Sequence, residues 1–264
     1  MNTYNLIKQP RLWATILLLA FLQGCASGPN ANPADPLEPF NRTVFRFNDG
    51  LDRAILKPVA TAYRDVTPLP VRQGVTNFFG NLNDVWSFIN NVLQLKPEEA
   101  ADTFFRVTVN TFWGMGGLFD VASDMNIEKH REDFGLTLGH YGVGPGPYVV
   151  LPLVGSSTFR DSLALLVDKQ GDLVTRVNDV ATRNSLFGIR LVNARSNLLQ
   201  AGEMLDRAAL DKYSFARDVY LQRRSSLITR GNEKEERYDL PESAPAGGAP
   251  AAADVVSPLP SSVR

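Results

Sequence analysis

Two histidines, one cysteine and a few serines are the residues with nucleophilic, acid–base or metal-ligating potential in this chain of 264. His140 lies in Gly139-His140-Tyr141-Gly142-Val143-Gly144-Pro145-Gly146-Pro147-Tyr148 and could orient Ser156 or Ser157 as a nucleophile. Its competing use is a hydrogen bond to loop backbone. No Gly-x-Ser-x-Gly elbow is present. His130 sits in Lys129-His130-Arg131-Glu132-Asp133, a charged run that reads as a solvated turn. One cysteine and two histidines ten apart make no zinc pattern, so neither a metal nor a cofactor is expected. The glycines at 142, 144 and 146 have the density of a phosphate loop. They lack its lysine, and Pro145 and Pro147 remove two backbone donors.

Cys25 has a different chemistry. Lys8 and Arg11 precede an apolar run from Leu12 to Leu22, broken only by Thr15. That run is too short to cross ~30 Å of hydrocarbon, which takes roughly 20 helical residues. Leu22-Gln23-Gly24-Cys25 follows and resembles a lipobox, although Gln23 is larger than the usual small residue. Residues 1–24 therefore read as a lipoprotein signal peptide cut before Cys25, with 25–34 as a lipidated Gly/Ser/Pro/Asn-rich tether. A lone cysteine forms no intramolecular disulfide. Two or three acyl chains, at ~0.8 kcal/mol per buried methylene, hold the chain stably on a membrane. Ala26 in place of Asp resembles the Gram-negative sorting pattern for the outer membrane.

Removing 24 of the 264 residues leaves 240 and takes the net charge from −1 to −3, because Lys8 and Arg11 leave with no acid. Such a chain can bury a core of one or two domains. It carries no basic excess and no nucleic-acid motif, so no nucleic-acid partner is expected. No apolar run after Cys25 approaches 18 residues. Residues 239–264 are Ala/Pro-rich and read as a disordered tail. The folded part spans 35–238.

The elements there are helical. From Val75 to Leu93, apolar residues recur every three or four positions, which is one helix face. Asn77, Asn81, Asn83, Asp84, Asn90 and Asn91 lie opposite, polar but almost uncharged. Pro97-Glu98-Glu99 starts a helix carrying Phe104, Phe105 and Phe112, which ends at Gly114. Val44 to Leu56 is helical, with a break or kink at Pro58. Pro68 and Pro70 end the next piece. Thr158-Phe159-Arg160-Asp161 is a capping box opening a helix through Val167. Phe187 to Arg230 is helical, interrupted near Gly202 and Lys212. Gly135 to Gly155 reads as one long Gly/Pro loop shaped into a hairpin. The class is mostly all-α. Apolar stripes of this kind normally pack a core. The lipid anchor and the crowding of aromatics before Phe119 point some of them to lipid instead. Late basic residues, Arg217, Arg223, Arg224, Arg230, Lys234 and Arg237, either complement an anionic partner or sit on a solvated helix end.

Four segments resemble the MlaA/VacJ family of outer-membrane lipoproteins, in the same order. They are Asp35-Pro36-Leu37-Glu38-Pro39-Phe40-Asn41-Arg42; Arg64-Asp65 with Asn77-Phe78 and Gly80-Asn81-Leu82; Gly114 to Ala122; and Phe134-Gly135 through His140 to Gly155. The resemblance implies a ring-like arrangement of amphipathic helices embedded in one leaflet, pierced by a polar channel. It implies a non-enzymatic protein on the periplasmic side of the outer membrane. Such a protein removes mislocalised phospholipid from the outer leaflet and passes it to a periplasmic MlaC-like carrier, beside a trimeric porin. On that footing Asn83 and Asn90 are candidates for the channel wall. Val44, Phe45, Phe47, Gly142, Gly144 and Gly146 are candidates for a gate or channel edge. The rivals are a membrane-anchored phospholipase and a non-transporting structural partner of porins.

Overall fold

The computed structural model describes residues 35–239, with backbone alone at 208 and 230–239. The leader, Cys25, the tether and all of the tail except Asp239 lie outside the described residues, as do the side chains of Arg230, Lys234 and Arg237.

Helix α1 (Glu38–Leu51) carries Pro39 in its first turn, where a missing N–H leaves nothing unpaired. A π-helical turn (Asp52–Leu56) joins it to α2 (Lys57–Val66), and the Lys57 N–H reaches back to the Asp52 carbonyl. The helical turns thus run through Pro58, where a break or kink was expected. Proline has no N–H and its ring collides with the carbonyl four residues back. The wide turn just upstream accommodates it. Pro68 holds Thr67 extended and stops α2, whereas Pro70 belongs to the first turn of α3 (Leu69–Leu93). Helix α4 (Pro97–Phe112) begins at Pro97 with Glu98 and Glu99 in its first turn, as its sequence dictates.

After a short α5 (Val121–Asp124), α6 (Phe134–His140) is capped by Asp133, which accepts from the Leu136 N–H at 2.8 Å. This helix occupies the start of the segment expected to be loop. Strands β1 (Tyr148–Leu151) and β2 (Gly155–Thr158) follow as an antiparallel hairpin with Tyr148 opposite Thr158. Thr158 accepts from the Asp161 N–H and opens α7 (Phe159–Gly171), four residues longer than its apolar pattern suggests. A 3-10 turn (Leu173–Arg176) leads to α8 (Val180–Asn197), α9 (Leu199–Ala208) and α10 (Lys212–Asp239). The interruptions fall at Leu198 and just before Lys212; Gly202 lies inside α9.

The packing is a closed circuit. Helix α1 meets β1, β2 meets α10, α10 meets α6, α6 meets α3, α3 meets α8, α8 meets α2, and the π turn returns to α1. The apolar core of the closure is small: Tyr148, Val150 and Tyr213, with Val44, Phe45, Tyr220 and Leu221 against them. Two amides on one face of α1 clip the hairpin in place. Asn41 donates to the Tyr148 carbonyl at 3.0 Å and accepts from the Val150 N–H at 2.8 Å. Asn48 does the same with Leu151 and Leu153, both at 2.9 Å.

Candidate functional site

Helices α3 and α4 are inverted relative to a soluble pair. Their buried faces are Asn81, Asp84, Ser87, Asn90 and Asn91 on α3, and Ala100, Thr103, Arg106, Val109 and Asn110 on α4. Their exposed faces hold Ile89, Val92, Leu93, Phe104, Phe105 and Phe112, the last 77% exposed while Arg106 is 1% exposed. The apolar surface continues through Trp113, Met115, Leu118 and Phe119. Large apolar side chains outside and polar ones inside are costly in water, because each buried polar group needs a partner and each exposed ring loses burial. The arrangement suits a surrounding of lipid.

Three polar knots supply most of the partners, while Asn81 Oδ1, Asn91 Oδ1 and Arg106 Nε stay without a hydrogen bond. In the first, Arg106 donates from Nη2 to both carboxylate oxygens of Asp120, at 2.7 and 2.9 Å, and from Nη1 to the Ile127 carbonyl. Asn110 bridges Asp120 and the Ala122 N–H, each at 2.9 Å. Burial opposes ionisation of Asp120, but hydrogen bonds from Ser123 and Asn110 and the Arg106 charge outweigh it and hold its pKa below the usual range. Lys129 sits 3.0 Å from the buried Asp84. In the second knot, the Thr137 hydroxyl donates to Asn90 at 2.8 Å and accepts from Gln94, which also donates to Glu132. Burial pushes the Glu132 carboxyl up.

In the third knot, α10 is strapped across the closure. Tyr213 donates to the fully buried Asp35, which also takes Nδ2–H of Asn41 at 2.9 Å and faces Arg217 at 3.4 Å. Further along, Arg224 bridges Asp133 and Asp161, and Tyr220 donates to Asp161 at 2.7 Å. Desolvation works against the Asp161 charge, yet Arg224, Tyr220 and Arg160 together hold its pKa low. Two glycines of α6 make room. A Cβ on Gly139 would stand 2.5 Å from Ile228 of α10, and one on Gly135 would stand 2.6 Å from Arg224. Their glycine content suggested loop; it serves close helix approach instead.

Two readings of charged segments are corrected by these contacts. The run from Lys129 to Asp133 is a seam, not a solvated turn: Lys129 pairs with Asp84, His130 with Asp102 at 3.0 Å, Glu132 with Lys96 and Gln94, and Asp133 with Arg224. Of the late basic cluster, Arg217 and Arg224 are structural cations turned inward, while Arg223 is exposed.

The sequence-derived site residues separate into two groups. Val44 and Phe45 pack on the core of the closure, with Phe45 edge-on to Tyr213 at 5.7 Å, while Phe47 is 57% exposed. Asn90 is fully buried and bonded to Trp86 and Thr137, so it does not itself present a polar surface; Asn83 is exposed. Gly142, Gly144 and Gly146 lie on the exposed segment between α6 and β1. Gly142 and Gly146 adopt φ of +82° and +66°, and at Gly144 a Cβ would meet nothing. Tyr141 ties the base of that segment to α3 by donating to the Leu93 carbonyl at 2.5 Å. Ser156 accepts from Tyr148 at 2.8 Å and Ser157 from Ser162 at 2.9 Å, which ties both hydroxyls into the hairpin and α7. Sequence reasoning missed the Asp35, Asp133 and Asp161 clamps, whose partners on α10 lie 59 to 182 residues away.

This is an inside-out helical circuit, and none of its helices among the described residues is long and apolar enough to cross a membrane. The chain belongs to the MlaA lipoprotein family, whose model matches residues 33–227. It is 38% identical over 232 residues to the Escherichia coli (strain K12) protein described as "Intermembrane phospholipid transport system lipoprotein MlaA", covering 86% of this chain and 92% of that one. A Haemophilus influenzae protein of the same description is 32% identical over 246 residues, covering 89% and 97%. A solved structure described as "Structural basis for maintenance of bacterial outer membrane lipid asymmetry" superposes with a TM-score of 0.65 at 38% identity. It covers 74% of this chain and 98% of the other.

Proposed function

We propose that this protein is an outer-membrane lipoprotein that withdraws mislocalised phospholipid from the outer leaflet and hands it to a periplasmic MlaC-like carrier, working beside a trimeric porin. Lipid on Cys25 would hold it to the periplasmic side, with the helical circuit seated in one leaflet. The observation that carries this is the inversion of α3 and α4 in a chain of this family. A surface of Phe104, Phe105, Phe112 and Trp113 is stable against acyl chains and unstable against water. The buried faces of α3 and α4 are ion-paired and amide-rich, a polar character that would suit passage of a zwitterionic or anionic headgroup. Movement through such a circuit needs no bond to be made or broken. The exposed Asn83 remains a candidate for the polar wall, and the open segment at Gly142, Gly144 and Gly146 for a gate.

The test is chemical labelling of phosphatidylethanolamine on the surface of cells lacking this protein, complemented with wild type or with His140→Ala. Raised label on deletion, lowered equally by both versions, supports lipid withdrawal without catalysis. Unchanged label removes the transport role and favours a structural partner of porins. Failure of His140→Ala alone, with normal melting, favours a phospholipase.

A further inference from the structure

Arg72, in the opening turns of α3, is the anomaly among the cations. It is half-buried, and its Nε–H is buried with no hydrogen-bond partner; the Nε–H groups of Arg106 and Arg224 are likewise unbonded, but each of those guanidiniums holds a carboxylate through its Nη atoms. The guanidiniums of Arg42, Arg160, Arg190, Arg195, Arg217 and Arg224 each hold a carboxylate; Arg72 holds none among the described residues. Withdrawing such a group from water with a bond unmade is unfavourable, unless another molecule brings the acceptor.

The hydrogen-bond chain that runs from its backbone carbonyl is made of uncharged side chains. Thr76 donates its hydroxyl proton to the Arg72 carbonyl at 2.9 Å and accepts from the amides of Asn193 at 2.8 Å and Asn197 at 3.0 Å. Asn193 in turn accepts from Tyr63 at 3.1 Å. This chain ties α2, α3 and α8 together next to the Arg72 backbone and makes no bond to its guanidinium. Tyr63 lies close enough to feel the charge, which works against the upward push of burial on its hydroxyl. Beside this cation the chain turns an apolar corner outward: Val66 is 83% exposed, Leu69 56% and Val71 53%.

A phosphate diester carrying acyl chains meets both requirements. Its paired oxygens suit a guanidinium fork, and its chains suit the bare corner. We propose that Arg72 is the phosphate contact of a phospholipid subsite at the α2–α3 corner, with Val66, Leu69 and Val71 against the acyl chains. The subsite deepens the transport reading and rests on it. Phosphate chemistry is common to a lipid headgroup and to free inorganic phosphate, and the test separates them.

The full-length lipoprotein in detergent micelles is titrated with dihexanoyl-phosphatidylglycerol, with dihexanoylglycerol, and with inorganic phosphate. The Arg72 Nε–H resonance, identified by its loss in Arg72→Lys, is followed by ¹H–¹⁵N spectroscopy. Phosphatidylglycerol should shift it saturably and dihexanoylglycerol should not. Arg72→Gln should weaken phosphatidylglycerol binding about tenfold, the loss expected for a charged hydrogen bond. It should leave the melting temperature unchanged, since no internal bond is lost. An unmoved resonance, or wild-type binding by Arg72→Gln, overturns the subsite; so does inorganic phosphate binding as well as the lipid. If Arg72→Gln melts early, Arg72→Lys decides: normal melting with weakened lipid binding sustains the subsite, and undiminished binding overturns it. Surface phospholipid that rises on deletion while the resonance ignores lipid removes the subsite alone. Surface phospholipid that does not rise removes the transport reading.

Discussion

Arg106 shows how closely this interior depends on pairing. Its guanidinium is withdrawn from water, with both Nη groups bonded, to Asp120 and to the Ile127 carbonyl, and with Nε 3.9 Å from Asp84 and unbonded. Arg106→Leu strands the Asp120 charge beside α5 and should lower unfolding free energy by about 3–5 kcal/mol, the range for one partner lost from a buried pair, as read by urea titration. The same pairing sets the response to acid. Asp120 and Asp161 have folded pKa values below their unfolded ones, so their stabilisation is complete above the unfolded value and lost as pH falls through the folded one. Melting temperature should therefore fall as pH drops below about 4. Glu132 and Asp168, raised by burial, work in the opposite sense and soften the decline. The three loop glycines are distinguishable by the same physics. Gly144→Ala meets open space at an ordinary φ and should leave stability unchanged, whereas Gly142→Ala strains a φ of +82° by about 1 kcal/mol. A transport defect in Gly144→Ala would thus report on the segment's motion and not on its fold.

At the scale of elements, α3 and α4 were legible in the sequence as helices, down to the Pro97 start, but their orientation was not. Periodicity separates two faces and is silent on which one meets water. The almost uncharged row from Asn77 to Asn91 was the available clue, because a solvated face usually carries charge. Replacing Phe104, Phe105 and Phe112 together by serine removes side chains that are at least half exposed and whose ring contacts are with Phe88, Trp113 and one another. Urea stability in detergent should change by less than about 1.5 kcal/mol, taking about 0.5 for each exposed site. Partition into phospholipid vesicles should fall, measured by flotation. Loss of folding instead would place these rings in an internal core. Helix α6 was misread because Gly135 and Gly139 carry two meanings, loop and close packing, and only the far partner on α10 decides between them. The glycine segment after it and the Thr158 cap, whose geometry is local, were both legible.

At the scale of the molecule, the circuit closes through Asp35, whose bonds to Tyr213 and Arg217 join positions 178 and 182 residues apart. No sequence period encodes such a join, and this is why the strap of α10 went unread. Deleting α10 from Lys212 onward should open the circuit at β2 and α6 while leaving α3 and α4 packed, which hydrogen exchange of the α3 and α6 amides would separate. The Asp35 join also has a consequence in time. Asp35 is among the earliest folded residues to emerge during synthesis, and its partners are among the latest. Loop closure over such a span is entropically unfavourable and slows folding more than it lowers stability. Until α10 arrives the polar interior of this chain belongs to an open coil of helices. Its docking closes the circuit but leaves Phe104, Phe112 and Trp113 bare, so a protein of this shape needs an escort in water even after its final helix is in place.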